Sequence, residues 1–385
     1  MANERFIKDG ESILVVDAGG GTVDLCLLKV VNAEKNRVNL GELQPTRGDN
    51  YGATFIDRAF EDLVKTRLLG LDHMFITSIS DVAWLMKSDP DYLQNKHELG
   101  ANTYNKNSKF RIGLPERIQR FTNESRLIAD GQMLFTWREL EQLFDPQVKG
   151  ILSLLDEMVM KHEKRTDSKR IDHVVLSGGL GRSKYVFKQL EEYVSSSRSA
   201  ALKGTKVHQS SDPQLCVCLG IVESAMQTIE NDTNMFQRRI SKVSLEASKN
   251  DLVTEKDPEG HRWIRGYMDW FILRGDGIQD NKAAKHPYSI DFGPDVSTLN
   301  RIGRVLIKSC TSEPIPSFDK DERVRNNTVL TVDLSHASIG SIEERKPKGL
   351  FGKNLGVRIR FYVEARIGMA DVSFRAPPFE RERLS

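Results

Sequence analysis

The sequence predicts an α/β domain over residues 1–230, followed by a mainly antiparallel β domain over residues 231–385. In the first part, two runs of apolar and β-branched residues end in glycine-rich turns, near residues 20 and 180, and indicate buried strands. Apolar residues at helical spacing lie between them. Beyond residue 231, apolar and polar residues alternate, most clearly at residues 357–363, which is typical of half-buried antiparallel strands.

The first glycine turn contains a triplet, residues 19–21, between strands predicted at residues 13–17 and 23–28. Because glycine lacks a Cβ atom, the backbone N–H groups of the triplet can crowd around an anion. A carboxylate on each side suits a nucleotide with its divalent cation. The alternative is a hairpin turn that binds no ligand. The residues assigned to phosphate and cation are Asp17, Gly19, Gly20, Gly21, Thr22 and Asp24.

Two other glycine motifs do not fit this turn. The dinucleotide fingerprint needs the pattern G-x-G-x-x-G, and counting from Gly19 its third glycine falls on Asp24. The P-loop needs a Gly-Lys ending followed by Ser or Thr, which the sequence lacks.

Spacing and capping residues predict helices after the first strands. Thr54 is the predicted N-cap of a helix whose apolar residues recur at helical spacing. Asp57 lies in its first turn, where a favourable charge at the helix N-terminus and a ligand role are both open. Two short helices are predicted over residues 81–86 and 92–99, separated at Pro90.

A capping box formed by Thr136 and Glu139 predicts the start of a further helix. Pro146 is expected to break that helix, and an apolar stripe over residues 148–158 predicts another one after it. A buried strand is then predicted at residues 171–176.

The second glycine turn, residues 177–181, joins this strand to a predicted helix. Glycines here let a planar ring approach the backbone, and Arg182 can then lay its guanidinium on a purine face. The alternative is a tight turn with Arg182 in solvent. Asp212 is the predicted N-cap of the last helix, which carries Leu215 and Leu219 on one side.

Composition excludes several classes of function. The net charge of +2 gives no electrostatic argument for nucleic acid or for an anionic membrane as a partner. The N-terminus lacks the apolar core of a signal peptide, and no run is long and apolar enough to cross a bilayer. The 4 cysteines are too few and too unevenly spaced for a disulfide framework or a zinc site. We therefore expect a cytoplasmic protein with reduced thiols.

Residues 17–24, which read DAGGGTVD, resemble the second phosphate-binding motif of the 70-kDa heat-shock chaperone family, within the actin and sugar-kinase ATPase superfamily. Residues 48–57 resemble the loop that follows it, and residues 174–183 resemble the adenosine motif. The resemblance covers roughly residues 10 to 225 and is closest to a divergent eukaryotic branch. It implies the second lobe of an actin-like, ribonuclease H-like ATPase fold, with an inserted subdomain at about residues 58–170.

The resemblance also implies ATP or ADP with Mg²⁺ as the cofactor. It gives Asp17 and Thr22 catalytic roles, with Asp17 acting through the cation and water, and Asp17 and Asp24 as metal ligands. Lys96 matches a lysine that contacts the nucleotide in the chaperones, although Leu93 stands where they have a glutamate; a solvated helix charge is the alternative for Lys96. The implied nucleotide-binding residues are Gly19, Gly20, Gly21, Thr22, Gly52, Lys96, Gly179, Gly181, Arg182 and Asp212.

The function expected from this resemblance is that of an ATP-binding, chaperone-like protein with client proteins as partners. No earlier glycine hairpin precedes residue 13, so the first lobe is expected to be absent. Phosphoryl transfer needs preorganised charge on both sides of the phosphate, so we expect little or no ATPase activity from this chain alone. The exposed lobe face should be apolar and should need a partner. The alternative is a nucleotide-free interaction scaffold that uses the β domain.

Overall fold

The structure is a computed structural model. It describes residues 7–34, 37–101, 109–115, 121–166, 169–231, 235–240, 244–248, 255–256, 262–263, 268, 270–279, 283–318, 320–345, 355–367 and 372–377. The chain divides into two compact units, Met1–Met235 (unit 1) and Phe236–Ser385 (unit 2). The fold is mixed α/β, with several sheets and no barrel among the described residues. No helix in those ranges is long and apolar enough to span a membrane.

Unit 1 is built on a sheet in which β1 is central. The order is β3-β2-β1-β8-β9, with β4 also paired to β2. The β1–β2 and β2–β3 pairs are antiparallel, whereas β1–β8 and β8–β9 are parallel. The strands of unit 1 are β1 Ser12–Ala18, β2 Val23–Glu34, β3 Arg37–Glu42, β4 Arg47–Asp49, β5 Lys109–Gly113, β6 Ile128–Ala129, β7 Gln132–Thr136, β8 His173–Ser177 and β9 Lys206–Gln209. The strands predicted on either side of the triplet, and before the second glycine turn, are confirmed.

The α-helices of the described residues all belong to unit 1. The two short helices predicted around Pro90 are confirmed, and Pro90 opens the second of them. The capping box of Thr136 and Glu139 is also confirmed. The helices are α1 Ala53–Leu68, α2 Ile79–Lys87, α3 Pro90–Glu98, α4 Trp137–Glu163, α5 Lys184–Ser196 and α6 Cys216–Asn231.

The predicted break at Pro146 is wrong, because α4 continues through that residue. An internal proline costs a helix about 3 kcal/mol. Buried apolar side chains lie on both sides of it, including Phe144 before and Val148 and Ile151 after. Each contributes about 1.5–3 kcal/mol when buried, so packing outweighs the local preference.

One apolar core holds unit 1 together, between the sheet and the helices. Alternate residues of β1 point into it and are fully buried, as the strand pattern predicts. The three-stranded sheet β5-β7-β6 leads into α4 and packs on the same core. Its members include Leu14, Val16, Ala18, Leu25, Leu27, Ile56, Phe60, Val64, Phe135, Leu155, Met158, Leu176 and Leu190.

Unit 2 consists of short antiparallel sheets around its own core. The sheets are β14-β11-β17-β18, β16-β20-β19 with β21 on β20, and the pairs β12-β13 and β10-β15. The strand predicted from alternation at residues 357–363 is confirmed within β20. The strands are β10 Phe236–Ile240, β11 Ser244–Ser248, β12 Glu255–Lys256, β13 Arg262–Trp263, β14 Trp270–Ile272, β15 Gly277–Gln279, β16 Ala284–Phe292, β17 Ile302–Cys310, β18 Arg325–Asp333, β19 Ile342–Glu344, β20 Val357–Ile367 and β21 Val372–Arg375.

Candidate functional site

The two predicted glycine turns start side by side. They follow β1 and β8, which are parallel neighbours with Asp17 opposite Ser177. The Ser177 hydroxyl donates a hydrogen bond to Asp17 Oδ1 at 3.4 Å. Parallel strands end at the same edge of a sheet, and ligands of open α/β sheets bind at that edge.

Gly178 brings the two turns into contact. Its φ is +85°, and a Cβ at this position would lie 2.3 Å from the Ala18 carbonyl oxygen and 2.5 Å from Asp17 Oδ1. Its N–H donates to the Pro213 carbonyl oxygen at 2.8 Å. Gly178 therefore joins the end of β1 to the segment before α6, and only glycine fits there. Sequence reasoning assigned Gly179 and Gly181 and missed Gly178; its position directly after the strand was the available signal.

The carbonyl groups of the glycine triplet all face the start of α1. The Gly19 oxygen accepts from the Ala53 N–H at 3.1 Å, and the Gly21 oxygen accepts from the Gly52 N–H at 3.2 Å. The Gly20 oxygen accepts from the Thr54 N–H at 2.8 Å and from its hydroxyl at 2.9 Å. These carbonyls satisfy N–H groups that a helix N-terminus otherwise leaves without a partner.

The amides of the triplet therefore point away from α1. In a trans peptide the N–H is antiparallel to the preceding carbonyl, so the N–H groups of Gly20, Gly21 and Thr22 face outward. All three residues are exposed, and within the described residues none of these N–H groups donates to a backbone carbonyl. The Gly19 N–H closes the hairpin on the Thr22 oxygen at 2.9 Å. Neighbouring outward amides of this kind are able to bind an anion.

Two residues at the N-terminus of α1, Gly52 and Thr54, support the turn. The predicted nucleotide ligand Gly52 is buried, and a Cβ on it would lie 2.3 Å from the Gly20 oxygen, so it allows α1 to approach the triplet. The predicted N-cap Thr54 is wrong. Gly52 occupies the N-cap position of α1, and the Thr54 hydroxyl bonds Gly20 instead.

Asp17 and Asp24 stand directly opposite each other on β1 and β2. Burial raises the pKa of Asp17; the bond from Ser177 opposes this, and the charge of Asp24 adds to it. The Thr22 hydroxyl donates to Asp24 Oδ2 at 3.3 Å. No group of three or more metal-binding side chains occurs in the described residues. Two carboxylates still fit Mg²⁺, which usually keeps several waters and takes its other ligands from phosphates.

A cavity of about 890 Å³ lies beside the second glycine turn. Its walls are the end of α3, the residues that open α5, and the segment 209–215. Arg182 lines it; its backbone N–H donates to the Gly179 oxygen at 3.4 Å, while its guanidinium has no hydrogen bond or ion pair to any described residue. Lys184 also lines it but is held by Gln209, whose Oε1 accepts from its Nζ at 2.6 Å. Arg182 is thus the cation in this wall that can meet a ligand.

Two of the residues predicted for the adenosine group lie near this cavity without lining it. Gly179 is exposed, and Gly181 is buried, with Leu176 3.3 Å from the position of a Cβ. The predicted ligand Asp212 does line the cavity. The prediction that Asp212 is the N-cap of the last helix is wrong, because α6 begins four residues later at Cys216.

Lys96 is neither in the cavity nor in solvent. Its ammonium lies 2.5 Å from Asp57 Oδ1, and its side chain is only 10% exposed. The Tyr92 hydroxyl donates to the same oxygen at 2.9 Å. The neighbouring His97 lines the cavity instead, as does Glu98. Burial lowers the pKa of His97, and the charges of Arg182 and Lys96 lower it further.

The structure thus brings the exposed triplet amides, Asp17, Arg182 and Asp212 to one edge of the sheet of unit 1, whereas Lys96, Gly52 and Gly181 lie behind that surface. Comparison with known proteins assigns no family, because no family model matches the chain and no curated protein matches it.

Proposed function

We propose that unit 1 binds an adenine nucleotide together with Mg²⁺. The single observation that carries the proposal is the orientation of the glycine triplet, residues 19–21. Its carbonyl oxygens accept hydrogen bonds from the N-terminus of α1, so its amides face outward, beside the carboxylates of Asp17 and Asp24. Backbone amides in this arrangement bind phosphate oxygens.

The cation belongs between the phosphates and the carboxylates. Asp17 and Asp24 repel each other across the β1–β2 pair, and like charges directly opposite each other destabilise a sheet. A divalent cation would remove that repulsion and would also neutralise phosphate charge. Asp17 and Asp24 would hold it, directly or through water.

The base and ribose belong in the cavity beside Arg182. Its volume of about 890 Å³ lies within the usual range of roughly 300–1,000 Å³ for small-molecule sites. The unpaired guanidinium of Arg182 can stack on a purine, while Glu98 and Asp212 offer acceptors for ribose hydroxyls. Gly178 links this cavity to the triplet through Asp17 on one side and Pro213 on the other.

The fold proposed for unit 1 is the second lobe of an actin-like ATPase. Its support is the order of the motifs along the chain and the parallel β1–β8 pair that brings them together. A chaperone-like role in the cytoplasm, with client proteins bound elsewhere on the chain, follows from the same resemblance. The proposal concerns nucleotide binding and does not require turnover by this chain.

Calorimetric titration of the full chain with ADP and Mg²⁺ tests the proposal. Arg182→Ala should weaken binding about tenfold, which corresponds to about 1.4 kcal/mol and is typical of a partly desolvated stacked cation. Arg198→Ala is the matched control, because Arg198 is exposed and follows the opposite end of α5. Absence of heat at millimolar nucleotide, in protein shown to be folded, would refute the proposal and favour the nucleotide-free scaffold.

The phosphate end has its own pair of variants at Gly20. A Cβ on Gly20 would meet nothing within 4 Å, so substitution there should leave the fold intact. Gly20→Asp places a negative charge among the outward amides and should abolish binding, while Gly20→Ala should weaken it less. Equal affinity for both variants would show that phosphate does not bind at the triplet.

A further inference from the structure

Helix α6 carries an apolar stripe that faces solvent. The residues of this α6 stripe are 48–83% exposed, although large apolar side chains on a helix are normally turned towards a core. The stripe includes the residue immediately before α6. Its members are Leu215, Leu219, Val222, Met226 and Ile229.

Two residues in the C-terminal half of α6, on the side opposite the stripe, hold the helix in this orientation, whereas the apolar residues Val217 and Ile221, also off the stripe, are 56% and 57% exposed. Ser224 and Gln227 are only 2% and 4% exposed. The Gln227 side chain makes two hydrogen bonds to one residue of β3: Nε2 donates to the Val38 oxygen at 3.1 Å, and Oε1 accepts from the Val38 N–H at 3.2 Å. Turning the stripe inward would break both bonds and leave the Val38 N–H and carbonyl oxygen without these partners. The stripe is therefore held outward.

The spacing of the α6 stripe fits another helix. Its five residues follow one another at intervals of 4, 3, 4 and 3, which are the a and d positions of a coiled coil. From residue 215 to residue 229 the stripe is about 21 Å long at 1.5 Å per residue. Side chains at this period form holes for the side chains of a facing helix, whereas a strand has a period of two.

Charge along the edges of the stripe selects the partner. Glu223 and Glu230 line one edge, both exposed, and Cys218 and Ala225 line the other. An antiparallel second copy would place the two acidic edges against each other. A parallel copy would face each glutamate with an uncharged side chain. A helix with basic residues along its edge gains attraction that neither arrangement of a second copy provides.

We propose that the α6 stripe binds a partner helix that has leucine-type residues at heptad spacing and Lys or Arg along the edge that meets Glu223 and Glu230. This interaction surface adjoins the candidate nucleotide site at Leu215, which also lines the cavity, while its other four members lie outside the cavity lining. The inference does not rest on the proposed function. The partner is defined by this chemistry alone.

A pair of synthetic peptides tests the inference. Both have 21 residues with leucine at the a and d positions; one carries lysine and the other glutamate along both edges. Anisotropy titrations with the full chain should show at least tenfold tighter binding of the lysine peptide. The double variant Leu219→Asp, Met226→Asp should lose at least tenfold in affinity. Leu299→Asp, at a residue that is 75% exposed in unit 2, should not change it.

Charge reversal gives the decisive comparison. The double variant Glu223→Lys, Glu230→Lys keeps the stripe intact and should prefer the glutamate peptide. It also carries the test if the aspartate variant fails to fold. The inference would be overturned if the lysine peptide did not bind at a concentration of about 100 µM. It would also be overturned if the charge-reversed variant still preferred the lysine peptide. A dimer in sedimentation that the aspartate variant abolishes would also overturn it, since a second copy would then cover the stripe.

Discussion

Replacing Gly178 with alanine should destabilise unit 1 and disrupt the candidate site together. The φ of +85° costs an L-residue about 1–2 kcal/mol. The new Cβ would lie 2.3 Å from the Ala18 oxygen and 2.5 Å from Asp17 Oδ1, so β1 and β8 must move apart locally. Such overpacking costs about 1–3 kcal/mol. The expected loss in the free energy of unfolding is therefore about 2–5 kcal/mol.

The neighbouring Gly179 provides the matched control. Its φ and ψ are −63° and −43°, which any residue adopts, and its Cβ would meet nothing within 4 Å. Gly179→Ala should leave stability unchanged or raise it by about 0.4–1 kcal/mol through the unfolded chain. Both variants add one methyl group, and they do so at adjacent positions of the chain.

Urea denaturation followed by circular dichroism at 222 nm measures the difference. All α-helices of the described residues belong to unit 1, so the helical signal reports on the unit that carries the site. Gly178→Ala should also weaken nucleotide binding, because Asp17 must move. If the two alanine variants unfold within about 0.5 kcal/mol of each other, the contact between the two turns is not as tight as described.

Three further predictions concern charged groups. Asp17→Asn should raise stability at pH 7 by about 0.2–1 kcal/mol, because burial and Asp24 raise the pKa of Asp17 and penalise its ionised form. The gain should vanish below pH 3.8, where the carboxyl is protonated in both states. Lys96→Met should lower the free energy of unfolding, measured by urea denaturation, by about 2 kcal/mol, because Asp57 loses its buried partner. The nucleotide affinity measured by calorimetry should not change. The pKa of His97 is lowered in the folded protein, so its neutral form contributes stability above pH 6.5. That stability is lost as the pH falls through the lowered pKa. His97→Gln should therefore flatten this part of the profile of unfolding free energy against pH.

Each of these predictions has a result that contradicts it. A less stable Asp17→Asn at pH 7 would mean that the ionised carboxylate is not penalised. Lys65→Met is the surface control for Lys96→Met, because Lys65 is 37% exposed and its nearest acid is 3.3 Å away; equal losses would contradict the buried pair. An unaltered pH profile in His97→Gln would place the acid sensitivity on other groups.

Local patterns predicted the strands beside both glycine turns and the capping box of Thr136, because these signals depend on residues close in sequence. The predicted helix break at Pro146 is wrong for the same reason. The energetic cost of the proline is local, whereas the buried side chains that offset it belong to the assembled core. The ion pair of Lys96 with Asp57 joins residues 39 positions apart, and no local pattern reveals it. The position of Gly178 directly after β8 was visible in the sequence, but its contact with Ala18 exists only in the folded unit.

The strand pair β1–β8 joins Asp17 to Ser177 across 160 positions of the chain. A pairing over so many positions gives the unit a high contact order. The chain entropy lost in closing so long a loop is offset only by contacts that form when most of unit 1 has condensed. The two glycine turns should therefore meet late in folding, and no fragment that lacks either strand should retain the site. A ligand that needs both turns should slow the unfolding of unit 1 without accelerating its folding.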